Sequence, residues 1–183
     1  MWEEREYIIT HENRYYKQKN REDLVGEHPL GDAGQILLLL MFLAIWTADS
    51  FILKCSTFIS AYFSFYFRLP LAIVTLFISG YLARSGLWKV FGEIREEPIV
   101  IREGVFSIVR HPIYLSAILL YLALLFFSPS IFASVVWFLI IVFYIYISKY
   151  EEKMLIEKFG LAYIDYMRKV PMLIPRIGRS KIK

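Results

Sequence analysis

Two short clusters carry the groups in this chain that could do chemistry. The first is Arg110-His111-Pro112-Ile113-Tyr114, at the head of an apolar run. The second, Glu151-Glu152-Lys153-Met154-Leu155, closes the next apolar run. Charged and ring-bearing polar groups at the mouth of a membrane hairpin are costly to keep there unless they bind something. Pro112 can open a helix, because a first-turn residue needs no N–H donor. His111 then stands at or beside the N-cap, where unpaired N–H groups and the positive dipole end suit an anion such as a carboxylate. Between the clusters, Ser128-Pro129-Ser130 reads as a tight turn. His111 lies about 27 Å of helix back from that turn and Glu151 about 33 Å on, so the spacing predicts that both end at similar depth. An anion-attracting helix start beside carboxylates would suit a zwitterion with separated ammonium and carboxylate groups.

The elements that must hold these clusters are membrane helices. The chain has 183 residues, 57% of them hydrophobic and 17% aromatic, with mean hydropathy +0.49. A soluble domain is roughly 45–50% apolar. The excess falls in blocks, which predicts an all-α, polytopic membrane bundle of about four transmembrane helices with a C-terminal cytoplasmic helix. The spans are read at residues 35–53, 69–87 (opened by Pro70), 113–127 and 131–148. Residues 58–67 are aromatic but too short to cross alone. They read as an interfacial stretch or an extension of the second span. Asp49 lies near the outer end of the first span, and the expectation is that it faces water. The third span is short, about 22 Å against a core of roughly 30 Å. The hairpin mouth is therefore expected below the headgroups, open to a lipid-like substrate from the side.

Basic residues set the orientation. They concentrate in the N-terminal segment, in the loop between the second and third spans, and in the tail. The first loop has only Lys54 and Arg68, and the third loop has none. That alternation places both termini, the long second loop and the hairpin mouth in the cytoplasm. The formal net charge of +4 thus reads as topology and not as nucleic-acid binding. No apolar stretch near Met1 resembles a cleavable signal. The single cysteine, Cys55, excludes an intrachain disulfide and is expected to be a buried apolar filler.

Residues 1–34 read as a polar cytoplasmic arm and 35–183 as the membrane domain, with its binding site in 98–176. Pro98 and Gly104 interrupt helix, and Ile99-Val100-Ile101 favours extended backbone. Residues 149–170 read as one helix, with Leu155, Phe159, Tyr163, Tyr166 and Val170 on one face and Pro171 ending it. Bland readings compete for each part. Arg-His-Pro at a span boundary is also what a snorkelling Arg and a helix-opening Pro produce. Glu151-Glu152 is also an ordinary solvated turn, and Tyr163 and Tyr166 are more often interfacial anchors than ligands. His11 and His28 have no partner spacing for a metal, and no metal-ligand cluster is read anywhere in the chain.

From Pro98 to Arg176 the chain resembles the isoprenylcysteine carboxyl methyltransferase and phospholipid methyltransferase superfamily of integral membrane enzymes. The RHPxY element, the hairpin, the EExxL element, Phe159-Gly160 with Tyr163 and Tyr166, and Val170-Pro171 with Ile174-Pro175 stand in that family's order. The resemblance implies an S-adenosylmethionine-dependent methyltransferase acting on a lipophilic small molecule or lipid from the bilayer, of the prenylcysteine carboxylate or phospholipid amine class. It implies that His111, Pro112, Ile113 and Tyr114 contact the cofactor, with Glu151 and Glu152 on the other side. Phe106 would pack on the cofactor, and the backbone of Ile99, Val100 and Ile101 would line its pocket. For the acceptor step it points to Glu151, as a proton acceptor for an amine, and to Arg110, one of the nearest cations. One departure stands out. Carboxyl methyltransferases of the family carry an Arg four residues before the matching Glu, and here that residue is Ile147, which disfavours a carboxylate acceptor. Two other readings are a sterol-type reductase using NADPH and a non-catalytic protein of the same fold. Ile113 and Glu151-Glu152 stand where a reductase would show Asn and an Arg-Asp pair, which favours the methyltransferase.

Overall fold

The computed structural model describes residues 31–58, 62–92 and 98–176, and all regular structure among them is helical. Five helices follow in order: α1 (Gly31–Thr47), α2 (Phe65–Leu87), α3 (Pro112–Phe127), α4 (Ile131–Phe159) and α5 (Leu161–Lys169). Wider π turns extend α1 over Ala48–Leu53 and α2 over Trp88–Gly92. The stretches Ala33–Leu53, Phe65–Gly92 and Ile131–Phe159 are long and apolar enough to cross a bilayer. The third expected span, α3, has 16 residues, about 24 Å of helix, and falls short of a full crossing. The predicted all-α membrane bundle is therefore observed, with one abbreviated member. Lipid contact explains why large side chains such as Leu37 and Leu40 of α1, Leu71 and Phe77 of α2, and Phe138 and Val142 of α4 point outward.

Without a hydrophobic drive between helices in lipid, close approach needs small residues. The most extensive packing in the fold is between α2 and α3, and α2 buries Ala72, Ser79 and Gly86 at intervals of seven. The Ser79 hydroxyl donates to the Ser116 carbonyl at 2.7 Å. A Cβ on Gly86 would stand 2.9 Å from Ile113 Cγ1, so this glycine is what lets α2 meet the start of α3. Phe42 and Trp46 of α1 pack with Ile118, Tyr121 and Leu125 of α3 and with Val136, Ile140 and Tyr144 of α4.

Several details correct the sequence expectations. The α2 helix begins at Phe65, so Pro70 lies inside it and not at its opening. The Ser64 side chain accepts from Tyr66 N–H, and Arg68 donates to the Phe63 and Phe127 carbonyls, which anchors the earlier start. Residues 149–170 are not one helix. The α4 helix runs through both glutamates to Phe159, then Gly160 breaks it at φ 54°, a backbone region that glycine enters without a Cβ clash. Tyr163 and Tyr166 are buried and not interfacial. Cys55 is exposed and does not fill an apolar gap. Of the arm read at residues 1–34, residues 31–34 are helical and open α1, and residues 1–30, with His11 and His28, lie outside the described residues.

Asp49 is the largest departure. It does not face water: it is 2% exposed, at the junction of the first span with the start of α4. Its carboxylate accepts from Ser56 N–H at 3.0 Å and from the Ser56 and Ser130 hydroxyls. Ser56 Oγ in turn accepts from Ile131 N–H at 2.9 Å, and Ser130 Oγ from Ala133 N–H at 3.1 Å. One acid thus braces two serines that satisfy the first amides of α4, a long-range form of helix capping. Asp49→Ala leaves those hydroxyls without their acceptor and is expected to lower the melting temperature in detergent by several degrees, from a loss of about 2 kcal/mol or more. A circular-dichroism melt that matches the intact protein would refute this bracing role.

Candidate functional site

The site is built where α3 begins and α4 leaves the apolar region. His111 is the N-cap of α3 and Pro112 its first residue, as the missing N–H of proline allows. The helix start is less open than the sequence suggested. Arg110 N–H donates to the Pro171 carbonyl at 2.9 Å, and His111 N–H donates to the Met172 carbonyl at 3.1 Å. The chain after α5 therefore folds back and takes two of the donors expected to face an anion. This pairing was invisible in sequence, since the residues it joins lie some sixty positions apart.

The two motifs meet. Tyr114 OH donates to Glu151 Oε1, and His111 Nδ1 lies 3.5 Å from Glu151 Oε2. Glu152 Oε1 lies 3.1 Å from His111 Nε2 and accepts from Arg110 Nε at 2.7 Å. The Arg110 guanidinium also donates to the Met167 carbonyl at 2.9 Å and to that of Val170. The His111 and Tyr114 rings are parallel, with centroids 5.6 Å apart, and Tyr114 stacks on Tyr144 at 5.0 Å. Glu152 sits deep beside Arg110, and their charges offset. The Glu151 side chain keeps 14% exposure. Of the two neighbouring glutamates, Glu151 is thus the less buried. Pro112 is fully buried and Ile113 packs toward Gly86, so both serve the helix junction.

The segment carrying Ile99, Val100, Ile101 and Phe106 is non-helical up to a short 3-10 turn at Gly104–Ser107. It lies against α5. Val100 packs on the cluster of Tyr163, Tyr166 and Val170, and Tyr166 OH donates to the Phe106 carbonyl at 2.6 Å. Arg102 donates to the Ala162 carbonyl. Burial pushes the Tyr163 and Tyr166 hydroxyls well above their ordinary titration range, so both remain neutral donors. Arg110, tied to the last turn of α5, joins this layer to the hairpin mouth. The sequence reading passed over Tyr144, although its place seven residues before Glu151 puts both on one helical face.

Comparison with known proteins fits this geometry. Residues 72–162 match the phospholipid methyltransferase family. Methanethiol S-methyltransferase 2 of Bradyrhizobium diazoefficiens is 39% identical over 75 residues, covering 40% of this chain. The match and the relative together support the isoprenylcysteine and phospholipid methyltransferase superfamily that the motifs resemble. The aligned stretch spans only 27% of the methanethiol enzyme's length. The family match takes in α3, α4 and most of α2, and so includes every residue of the Arg110–Tyr114 and Glu151–Glu152 clusters. Among the described residues no group of His, Cys, Asp and Glu could hold a metal ion.

Proposed function

We propose that this chain is an integral membrane methyltransferase that takes its methyl group from S-adenosylmethionine and passes it to a lipophilic acceptor arriving from the bilayer. The contact of Glu151 with both His111 and Tyr114 at the mouth of a shortened helix carries the reading. The donor set suits the cofactor: Glu151 matches an ammonium or ribose hydroxyls, and the neighbouring aromatic rings suit a sulfonium. Ile99, Val100, Ile101 and Phe106 form the other wall in this proposal. When bound, the cofactor supplies a methyl group on a positively charged sulfur, and transfer is an in-line displacement. The protein's work is then alignment and exclusion of water. Arg110 and Glu152 hold the two halves of the site in register, and Tyr114 orients Glu151.

The acceptor we favour is uncharged, a thiol or an amine. Ile147 is 1% exposed and neutral, Arg110 is already committed to Glu152 and two carbonyls, and Lys149 is exposed. A carboxylate acceptor would meet Glu151 without a cation to offset it. A thiol loses its proton as its new bond to carbon forms, whereas an amine that arrives protonated loses one before its nitrogen attacks, and Glu151 is placed to accept that proton in either case.

Calorimetry with S-adenosylhomocysteine on the detergent-purified protein tests the cofactor reading. We expect saturable binding by the intact chain and a strong loss in His111→Ala. Binding of NADPH in its place would turn the reading toward a reductase, and binding of neither toward a non-catalytic member.

The basic-residue pattern supports a cytoplasmic site with Cys55 on the opposite face. Cys55 is the sole cysteine and is exposed, so it reports directly. A membrane-impermeant maleimide is expected to label it in intact cells, and to miss it in sealed inverted vesicles. The reverse pattern would invert the orientation.

A further inference from the structure

One turn of α4 inside the site carries a hydroxyl with no partner. Ser148 is 0% exposed, and its Oγ makes no hydrogen bond. An unpaired buried hydroxyl costs on the order of 1–3 kcal/mol. Helical serines usually avoid this by donating to a carbonyl three or four residues back. Ser134 does so to Ser130 at 2.7 Å, and Ser116 to Ile113 at 2.6 Å. Ser148 does not.

Its position is informative. Tyr144, Ser148, Glu151 and Glu152 stand at i, i+4, i+7 and i+8, a single stripe of the helix. Tyr114 touches both ends of that stripe, with its ring on Tyr144 and its hydroxyl on Glu151. It therefore bridges the turn that bears Ser148. Ser148 also lies only about 5 Å of helix rise from the glutamates, within reach of a ligand that Glu151 holds.

We propose that Ser148 is a ligand contact whose Oγ accepts a hydrogen bond from the ammonium of the bound cofactor's amino-acid end, alongside Glu151. The proposal rests on the S-adenosylmethionine reading above. An ammonium has three donors to satisfy and no acceptor. Glu151 supplies charge, and a neutral hydroxyl supplies a second acceptor without adding to the acidity of the site.

Ser148→Ala decides it, because removing an orphan hydroxyl and removing a ligand contact have different signatures. Alanine is the best helix former, so the variant is expected to fold. Affinities for S-adenosylhomocysteine and for 5′-methylthioadenosine are compared, the second being the same nucleoside thioether without the amino-acid end. We expect the dissociation constant for S-adenosylhomocysteine to rise about 3- to 10-fold, the size of one hydrogen bond. That for 5′-methylthioadenosine should stay constant, and the ligand-free melting temperature should not fall. Unchanged S-adenosylhomocysteine affinity, or an equal loss for both ligands, would overturn the assignment. Absence of S-adenosylhomocysteine binding by the intact chain is a separate result, which removes the cofactor reading and this contact with it.

Discussion

Glu151→Ala is expected to weaken S-adenosylhomocysteine binding by about 10- to 100-fold, the span of one charge-assisted hydrogen bond of roughly 1.5–3 kcal/mol. The fold should survive, because Glu151 keeps partial exposure and its partners are not left as buried charges. Tyr114 and His111 lose one contact each, and both remain packed: Tyr114 on Tyr144, and His111 beside Glu152. Glu151→Gln should fall between, since an amide oxygen still accepts from Tyr114 but carries no charge for an ammonium. Methyl transfer should fall further than binding in both variants if the carboxylate also takes the acceptor's proton. Calorimetry on Glu151→Ala that returned the affinity of the intact chain would sink the cofactor assignment of this residue. The adjacent Glu152 should behave differently, because it is held by Arg110 and His111 together. Two neighbouring carboxylates thus have different partners, which the pair Glu151-Glu152 in the sequence does not reveal.

The sequence revealed most where the physics is local. Apolar blocks long enough for a bilayer specify their own helices, so the spans were legible. Pro112 marks the opening of α3 because its missing N–H is harmless only there. The shared depth of His111 and Glu151 followed from counting residues on either side of a turn, and the structure brings those residues into contact. What stayed hidden depends on partners distant in the chain. Asp49 reads as a stray charge near a span end until Ser56 and Ser130 are seen beside it, the latter 81 positions away. The amides of Arg110 and His111 read as open donors until Pro171 and Met172 cover them. Gly160 reads as a tolerated residue in a continuous periodic stretch, and only its positive φ reveals the break. Arg110 illustrates the limit best. Its side chain reads as a snorkelling or catalytic cation, whereas its contacts are those of a brace.

That brace carries the second large expectation. Arg110 and Glu152 side chains are 9% and 8% exposed and meet at 2.7 Å. Removing one member of such a pair leaves the other charged and buried, which costs about 3–5 kcal/mol. Arg110→Met should therefore lower the melting temperature in detergent by on the order of 10 °C. It also frees the Met167 and Val170 carbonyls and loosens the last turn of α5 from the hairpin. Cofactor affinity should fall as a consequence, since the segment holding Phe106 is tied to α5 through Tyr166. Arg110→Lys keeps the charge but not the planar fork that serves Glu152 and two carbonyls together, so it should recover only part of the loss. The double variant Arg110→Met with Glu152→Met is the decisive comparison. A buried ion pair exchanged for apolar side chains of similar volume is often nearly neutral in stability. The double variant should accordingly melt well above Arg110→Met alone. If the two single losses simply add, the pair is not coupled and the brace is wrong. If the double variant regains stability and still binds S-adenosylhomocysteine, Arg110 holds the site in shape without touching the ligand. A stable double variant that binds nothing would give Arg110 or Glu152 a direct place in the chemistry.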